Sequence, residues 1–246
     1  MLGTFWHFFF HTFFFDPVYN TLVFFIDVVP GGDVGIAVIL ATIVVKLLLL
    51  PLSIKAAKTQ KVIKEIEPRM KEIKKTIPDS QEQARAVMDL YAKNGINPFA
   101  SILLMFIQIP ILISLYLSVS RGGGIPLPSI NVDLLYSFIP KPGTTSMLFL
   151  GLIDVTHKSL PLALLASIFQ FGNGYLAFPK LPPRDPDAPA SMKEDFSRSM
   201  QMQMKYVMPI IIGVAAYSIS AIIALYFVVG SITDRKSTRL NSSHRH

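Results

Sequence analysis

Gly35-Ile-Ala-Val-Ile-Leu-Ala-Thr-Ile-Val-Val-Lys46-Leu-Leu-Leu-Leu-Pro51-Leu is the stretch on which the reading of this chain turns. Its apolar length is about that of a bilayer-crossing helix, roughly 20 residues at ~1.5 Å each. A lysine stands in its middle. The next cation, Lys55, lies nine residues on, which puts Lys46 about 13 Å deeper than that interface marker. A lysine stem reaches about half that distance, so snorkelling alone does not bring the ammonium to water. A cation at that depth costs on the order of 2.5–3.5 kcal/mol on insertion scales, and an intramembrane lysine is a functional residue by default.

The rest of the chain agrees with a multi-spanning membrane protein. Hydrophobic residues make up 51% and charged residues 16%, against roughly 25% charged in soluble domains. Cysteine is absent, which excludes disulfides, a thiol nucleophile and thiolate metal ligation. The formal charge of +7 overstates the basic character. The tail Arg235-Lys-Ser-Thr-Arg-Leu-Asn-Ser-Ser-His-Arg-His246 holds four of the 23 basic residues and no acid. It follows an apolar run that stops at Ile232 and resembles translated sequencing-adapter read-through, so residues 233–246 are expected to be non-native. Without those four cations the balance against 16 acids falls to +3, too little to argue for nucleic acid.

Residues 1–15 lack Lys and Arg, so no positive n-region of a signal peptide is present. Their phenylalanines and Trp6 predict an aromatic, interface-seeking lead-in. His7 and His11 are spaced i, i+4, but no third ligand accompanies them, and no metal is expected. Asp16-Pro17 predicts a helix start with an N-cap acid. The segment to Val29, with Val18, Leu22, Phe25 and Val29 on one side, reads as an interfacial amphipathic helix too short to span. Residues 1–33 are thus an aromatic N-terminus plus external helix, and residues 34–232 the core.

Five apolar spans are expected in that core, at about 34–54, 98–119, 159–178, 204–217 and 218–232. A tight turn at Tyr217-Ser218-Ile-Ser220 separates the last two, one overlong helix being the alternative, and spans this short imply a thin bilayer. Residues 55–96 hold ten Lys/Arg, residues 120–158 three and residues 179–203 four. The positive-inside rule then places the N-terminus outside and the C-terminus in the cytoplasm. Within 55–96, Val62, Ile66, Met70 and Ile73 trace one helical face. Pro78-Asp79-Ser80 breaks it, and Ala84, Val87, Met88 and Tyr91 trace a second, so a cytoplasmic helical hairpin is predicted. Lys58 and Lys61 on its basic face, with Met200 and Met204 at the entry to the fourth span, are candidate cytoplasmic contacts.

Polar residues cluster on the spans. Gly35, Thr42, Lys46 and Ser53 are offset by 7, 11 and 18 residues, within about 20° of one line on a straight helix. The third span carries Ser167, Gln170 and Asn173, and the second Ser101 and Gln108. Interhelical hydrogen bonding, worth ~0.6–2 kcal/mol each, accounts for any one Ser or Gln. It does not account for a cation when none of the five spans contains Asp or Glu. A hydrated cavity around Lys46 is the expectation. No G-x-S-x-G, H-E-x-x-H, Walker A or G-x-G-x-x-G is present, and Asp154 and His157 read as turn residues, so no enzyme is expected. A small transporter or channel with Lys46 as an anion site is the alternative class, but the inverted repeats that would favour it are not seen.

Over roughly residues 16–232 the chain resembles the YidC/Oxa/Alb family of membrane protein insertases. The likeness is carried by Lys46 before Leu-Pro51-Leu, Lys55 and the charged hairpin, Leu90-Tyr91, Asn97-Pro98, Ile107-Gln108-Ile-Pro110 and Leu115-Tyr116. It continues through Phe149-Leu-Gly-Leu-Ile-Asp154, Met208-Pro209 and Ala224-Leu-Tyr226. The resemblance implies an all-α integral membrane protein with five transmembrane helices around a hydrophilic groove, in the bacterial plasma membrane. It implies that a groove cation, here Lys46, attracts acidic, to-be-translocated segments of nascent membrane proteins, whose apolar segments then leave into lipid without nucleotide hydrolysis or a cofactor. Gln108 is then groove-lining, and Thr42, Ser53, Gln170 and Asn173 are its expected polar companions. The ribosome and the Sec translocon are the further partners implied. The family most often has Arg where Lys46 stands.

Overall fold

The computed structural model describes residues 7–95, 99–177 and 202–243. They fall into two compact units, Met1–Val44 with Ile111–Arg235, and Val45–Pro110 with Lys236–His246. The described residues are mostly helical, with one two-stranded sheet as the departure from all-α.

The first unit opens on α1, His7–Val28. Here the structure corrects the reading of Asp16-Pro17. Asp16 makes no capping bond, because Phe15 before it is already helical. The chain instead passes through a π-turn, His11–Phe15, in which the Asp16 N–H donates to the His11 carbonyl. Pro17 has no N–H to continue the i→i−4 ladder, so widening the turn just upstream is the local accommodation. The helix is therefore 22 residues long, and its length and composition suffice to cross a bilayer. Its buried side is Val18, Tyr19, Leu22, Val23 and Ile26. Of the face expected, Val18, Leu22 and Val29 are buried and Phe25 is half-buried, and Tyr19, Val23 and Ile26 widen it.

Gly32, at φ +64°, lies so close to the Thr144 carbonyl that a Cβ would collide with it. Asp33 then caps α2, Val34–Leu48, by accepting the Ile36 N–H at 3.0 Å. The loop over residues 121–158 is held by short turns and a two-residue hairpin, β1 (Leu148–Phe149) with β2 (Ile153–Asp154), in register Leu148↔Asp154 and Phe149↔Ile153. Ser159 opens α6, Leu160–Ala177, its carbonyl accepting the Ala163 N–H at 3.0 Å.

A second π-turn, Gln203–Val207, precedes α7, Met208–Ile219, with the Met208 N–H donating to the Gln203 carbonyl. Pro209 follows immediately, so the arrangement at Pro17 recurs. Gly213 lets α7 approach α6 closely, since a Cβ there would overlap the Ser167 hydroxyl. That hydroxyl donates to the Pro209 carbonyl at 3.2 Å. The turn expected near residues 217–220 is a single extended residue, Ser220, before α8, Ala221–Ser243. The Ala221 N–H donates to the His157 carbonyl. Two helices, not one overlong helix, thus occupy residues 208–243.

In the second unit, α3 (Leu50–Thr76) and α4 (Ser80–Lys93) form the expected hairpin. Asp79 caps α4 by accepting the Gln81 N–H at 2.7 Å. On α3, Ile66 is buried and Val62, Met70 and Ile73 are half-buried, matching the expected face. On α4 the covered face is Gln83, Ala86, Val87, Leu90 and Tyr91. Ala84 and Met88 are exposed, so that stripe is displaced by about one position. α5, Phe99–Ser120, contributes its start to this unit.

Its end belongs to the first unit, burying Ile111, Ser114, Leu115, Ser118 and Val119 at helical spacing. Among the described residues, only α1 is by itself long and apolar enough to cross a bilayer. α2 and the start of α3 reach that length as a broken pair, and Phe106–Ser120, Lys205–Ile219 and Ala221–Asp234 are shorter apolar stretches.

Candidate functional site

Lys46 sits in the last turn of α2. The apolar run is not one continuous helix, because the chain breaks at Leu49 and α3 begins with Pro51 in its first turn. Pro51 has no N–H to give the Leu47 carbonyl, and its ring crowds that carbonyl, so the break follows from the sequence Lys46-Leu-Leu-Leu-Leu-Pro51. The consequence is electrostatic. A cation in a last helical turn lies at the partially negative end of the helix dipole, worth about 0.3–1 kcal/mol where exposed and up to ~2 where partly buried. Lys46 is half-buried.

The break separates Ser53 from the expected polar stripe, while Gly35, Thr42 and Lys46 remain on α2. Gly35 lies under the Phe149 ring, with a Cβ position 2.5 Å from that side chain. Thr42 is 1% exposed, and its hydroxyl donates to the Val38 carbonyl at 2.7 Å. It is satisfied inside its own helix. A single Thr42→Cys variant in a chain without other cysteines is therefore expected to resist membrane-impermeant maleimides from either side. Rapid labelling of the folded protein would show that α2 opens there. Ser53 is half-buried beyond the break, its N–H donating to the Leu49 carbonyl at 2.9 Å.

Gln108 is half-buried on α5, two residues before Pro110. Gln170 and Asn173 on α6 meet α8 through Ser231. The Ser231 hydroxyl donates to Gln170 Oε1 at 3.3 Å, and Asn173 Nδ2 donates to the Ser231 carbonyl at 3.2 Å. Thr42, Gln170 and Asn173 belong to the first compact unit, while Lys46, Ser53 and Gln108 belong to the second. Lys58 and Lys61 are exposed on α3. Met200, the Met204 side chain, the Ser101 side chain, the Asn97-Pro98 motif and the loop over residues 179–201 lie outside what is described.

Several polar groups were missed by sequence reasoning. Ser231 is 3% exposed and joins α6 to α8; its signal was a lone hydroxyl in an apolar run. Lys205 is a second cation within an expected span, 9% exposed, its Nζ 4.4 Å from the Tyr175 ring centroid and 5.6 Å from that of Tyr206. Cation–π attraction of this kind stabilises a poorly solvated ammonium.

A polar cluster also fastens the 121–158 loop. The Tyr19 hydroxyl accepts the Asn131 N–H at 2.9 Å. Asn20, 2% exposed, donates to the Leu134 carbonyl at 2.8 Å and accepts the Tyr136 N–H at 2.7 Å. Asp33, besides capping α2, accepts the Leu150 N–H at 2.7 Å. Burial opposes ionisation of Asp154, but bonds from the Thr156 hydroxyl and N–H and the adjacent His157 outweigh it, holding that carboxyl below its ordinary value. Those contacts form a turn, as expected of Asp154 and His157. Among the described residues no three His, Asp or Glu side chains are grouped to hold a metal.

Comparison with known proteins gives a consistent result. The family model described as 60Kd inner membrane protein matches residues 25–240. "Membrane protein insertase YidC" of Oceanobacillus iheyensis is 33% identical over 204 residues, covering 80% of this chain and 70% of that protein. "Membrane protein insertase YidC 1" of Lactococcus lactis is 32% identical over 206 residues, covering 82% of this chain and 65% of its own length. The Clostridium tetani protein named "Membrane protein insertase YidC" is 29% identical over 212 residues, with 86% and 82% covered.

Proposed function

Because the chain belongs to the 60Kd inner membrane protein family, we propose that it is a membrane protein insertase working in the bacterial plasma membrane. It receives polypeptide segments in a hydrophilic groove containing Lys46 and releases their apolar parts into lipid, with no nucleotide hydrolysed. Nascent membrane proteins are its substrates and the bilayer its medium, and the ribosome or the Sec translocon delivers some of them.

The observation that carries this reading, beside family membership, is the place of Lys46. It lies in an apolar run, half-buried in the last turn of α2. An incoming acidic side chain about 4 Å from the ammonium, at an effective dielectric of ~20, gains about 4 kcal/mol. That is the same size as the ~2.5–3.5 kcal/mol cost of holding the lysine at depth. Attraction of this size draws a segment in without trapping it.

The orientation we propose has the N-terminus outside and the C-terminus in the cytoplasm, with five crossings from residue 34 onward. α1 then lies along the outer surface despite its length. Its middle residues Tyr19 and Asn20 bond the 131–136 segment, and Gly32 and Asp33 beyond its end meet residues 144–150. The 121–158 loop therefore runs beside α1, which a helix crossing the bilayer would not allow.

The test is complementation of an insertase-depleted bacterial strain. The wild-type chain is expected to restore growth and membrane insertion of a small substrate. Full expression in the membrane without restored insertion would remove the proposal.

A further inference from the structure

The tip of the β1–β2 hairpin displays three apolar side chains on its outside. Leu148 is 46% exposed, Leu150 62% and Leu152 83%. Nothing local requires leucine there, and the backbone argues against it at Leu150, which has φ +52°. The left-handed region is uncommon for any residue with a Cβ and strained for a bulky one. Gly151 beside it also has positive φ, so the turn could have been built from small or polar residues.

The tip is nevertheless held firmly. The Leu150 N–H donates to Asp33 Oδ2 at 2.7 Å, and Asp33 is 7% exposed. The Leu152 N–H donates to the Phe149 carbonyl at 3.0 Å. The Phe149 ring covers Gly35. These contacts place the tip beside the first turn of α2, where the apolar run begins. Residues 142–153 contain no charged side chain, although Lys141 and Asp154 flank them. Shortly after β2, α6 begins an exposed apolar row of Leu160, Leu164 and Ile168, at 56%, 55% and 65%. An exposed apolar row of this kind is suited to contact with lipid.

We propose that the β1–β2 tip is a membrane anchor, with Leu150 and Leu152 immersed in the outer leaflet at the level of the first turn of α2. The occupant of this surface is lipid. An uncharged, apolar tip, fixed at the start of the α2 apolar run and followed further along the chain by an exposed apolar row, is suited to the headgroup–acyl boundary. Asp33 links the anchor to the spanning helix, since one carboxylate both caps α2 and holds the tip. The inference rests on the orientation proposed above, which puts residues 121–158 outside, and stands whether or not the chain inserts substrates.

The absence of native cysteine allows a clean test. A spin label on Leu152→Cys, in the full chain reconstituted into phosphatidylcholine–phosphatidylglycerol vesicles, reports collisions with oxygen, which concentrates in lipid, and with a water-soluble nickel chelate. Ile168→Cys on α6 is the lipid reference, and Asp133→Cys in the exposed part of the loop is the aqueous one. The Leu152 label is expected to resemble the Ile168 label, with oxygen collisions dominating and strong protection from nickel. A nickel accessibility equal to that of the Asp133 label would overturn the proposal. So would protection from both reagents, which would mean protein covers the tip. Spin–spin broadening lost on dilution with unlabelled chain would equally overturn it, because a second copy would then be the occupant.

Discussion

Replacing Lys46 by Glu is expected to reduce insertion of a substrate with an acidic outside tail at least tenfold, while Lys46→Arg keeps it near wild type. At ~6 Å and an effective dielectric of ~20, an attraction of about 2–3 kcal/mol becomes a repulsion of the same size. About 1.4 kcal/mol corresponds to tenfold, so the electrostatic ceiling lies well above the predicted loss. The comparison that isolates charge is a substrate with a neutral tail, for which Lys46→Glu should cost much less. Equal losses on both substrates would mean that the variant had damaged the fold. The measurement is protease protection of the translocated tail, at matched levels of the insertase in the membrane.

Asp33→Ala carries the largest expected effect on stability. One side chain caps α2 through Ile36 and holds the hairpin through Leu150, at 3.0 and 2.7 Å. A lost cap costs about 0.5–2 kcal/mol, and a lost hydrogen bond to a charged group about 1.5–3 kcal/mol. The sum, roughly 2–5 kcal/mol, should lower the apparent Tm in detergent by roughly 4–20 °C for a chain of this size. Asp33→Asn, which keeps an acceptor for the cap, should recover part of the loss. A melting temperature unchanged in Asp33→Ala would show that the 144–150 segment is held by other contacts.

These two positions differ in how far the sequence revealed them. Lys46 stood out because a cation in an apolar run is a composition anomaly, visible without any neighbour. Asp33 did not, because its work depends on the Leu150 N–H, over a hundred residues away in sequence. Tyr19, Asn20 and Asn131 were missed for the same reason: their bonds join segments more than 100 residues apart. The hairpin of α3 and α4 was legible from its 3.6-residue periodicity and the Pro78-Asp79-Ser80 break. The polar stripe through Ser53 failed because it assumed a straight helix through Pro51, although that proline was in plain view. Lys205 gave no signal, because it stands at the very start of its apolar stretch, where a lysine is ordinary. The N-terminal helix was read too short because Asp16-Pro17 is a good helix start, and a π-turn lets a helix run through it.

The most direct test of the central claim uses the purified chain alone in lipid vesicles, with no ATP or GTP. A small membrane protein with one apolar segment and an acidic tail is synthesised in their presence, and the protected tail is quantified. Protection is expected to need the chain, to be indifferent to added nucleotide, and to fall with Lys46→Glu. Equal protection in protein-free vesicles, or full protection by the Lys46→Glu chain, would contradict an insertase that works through this cation.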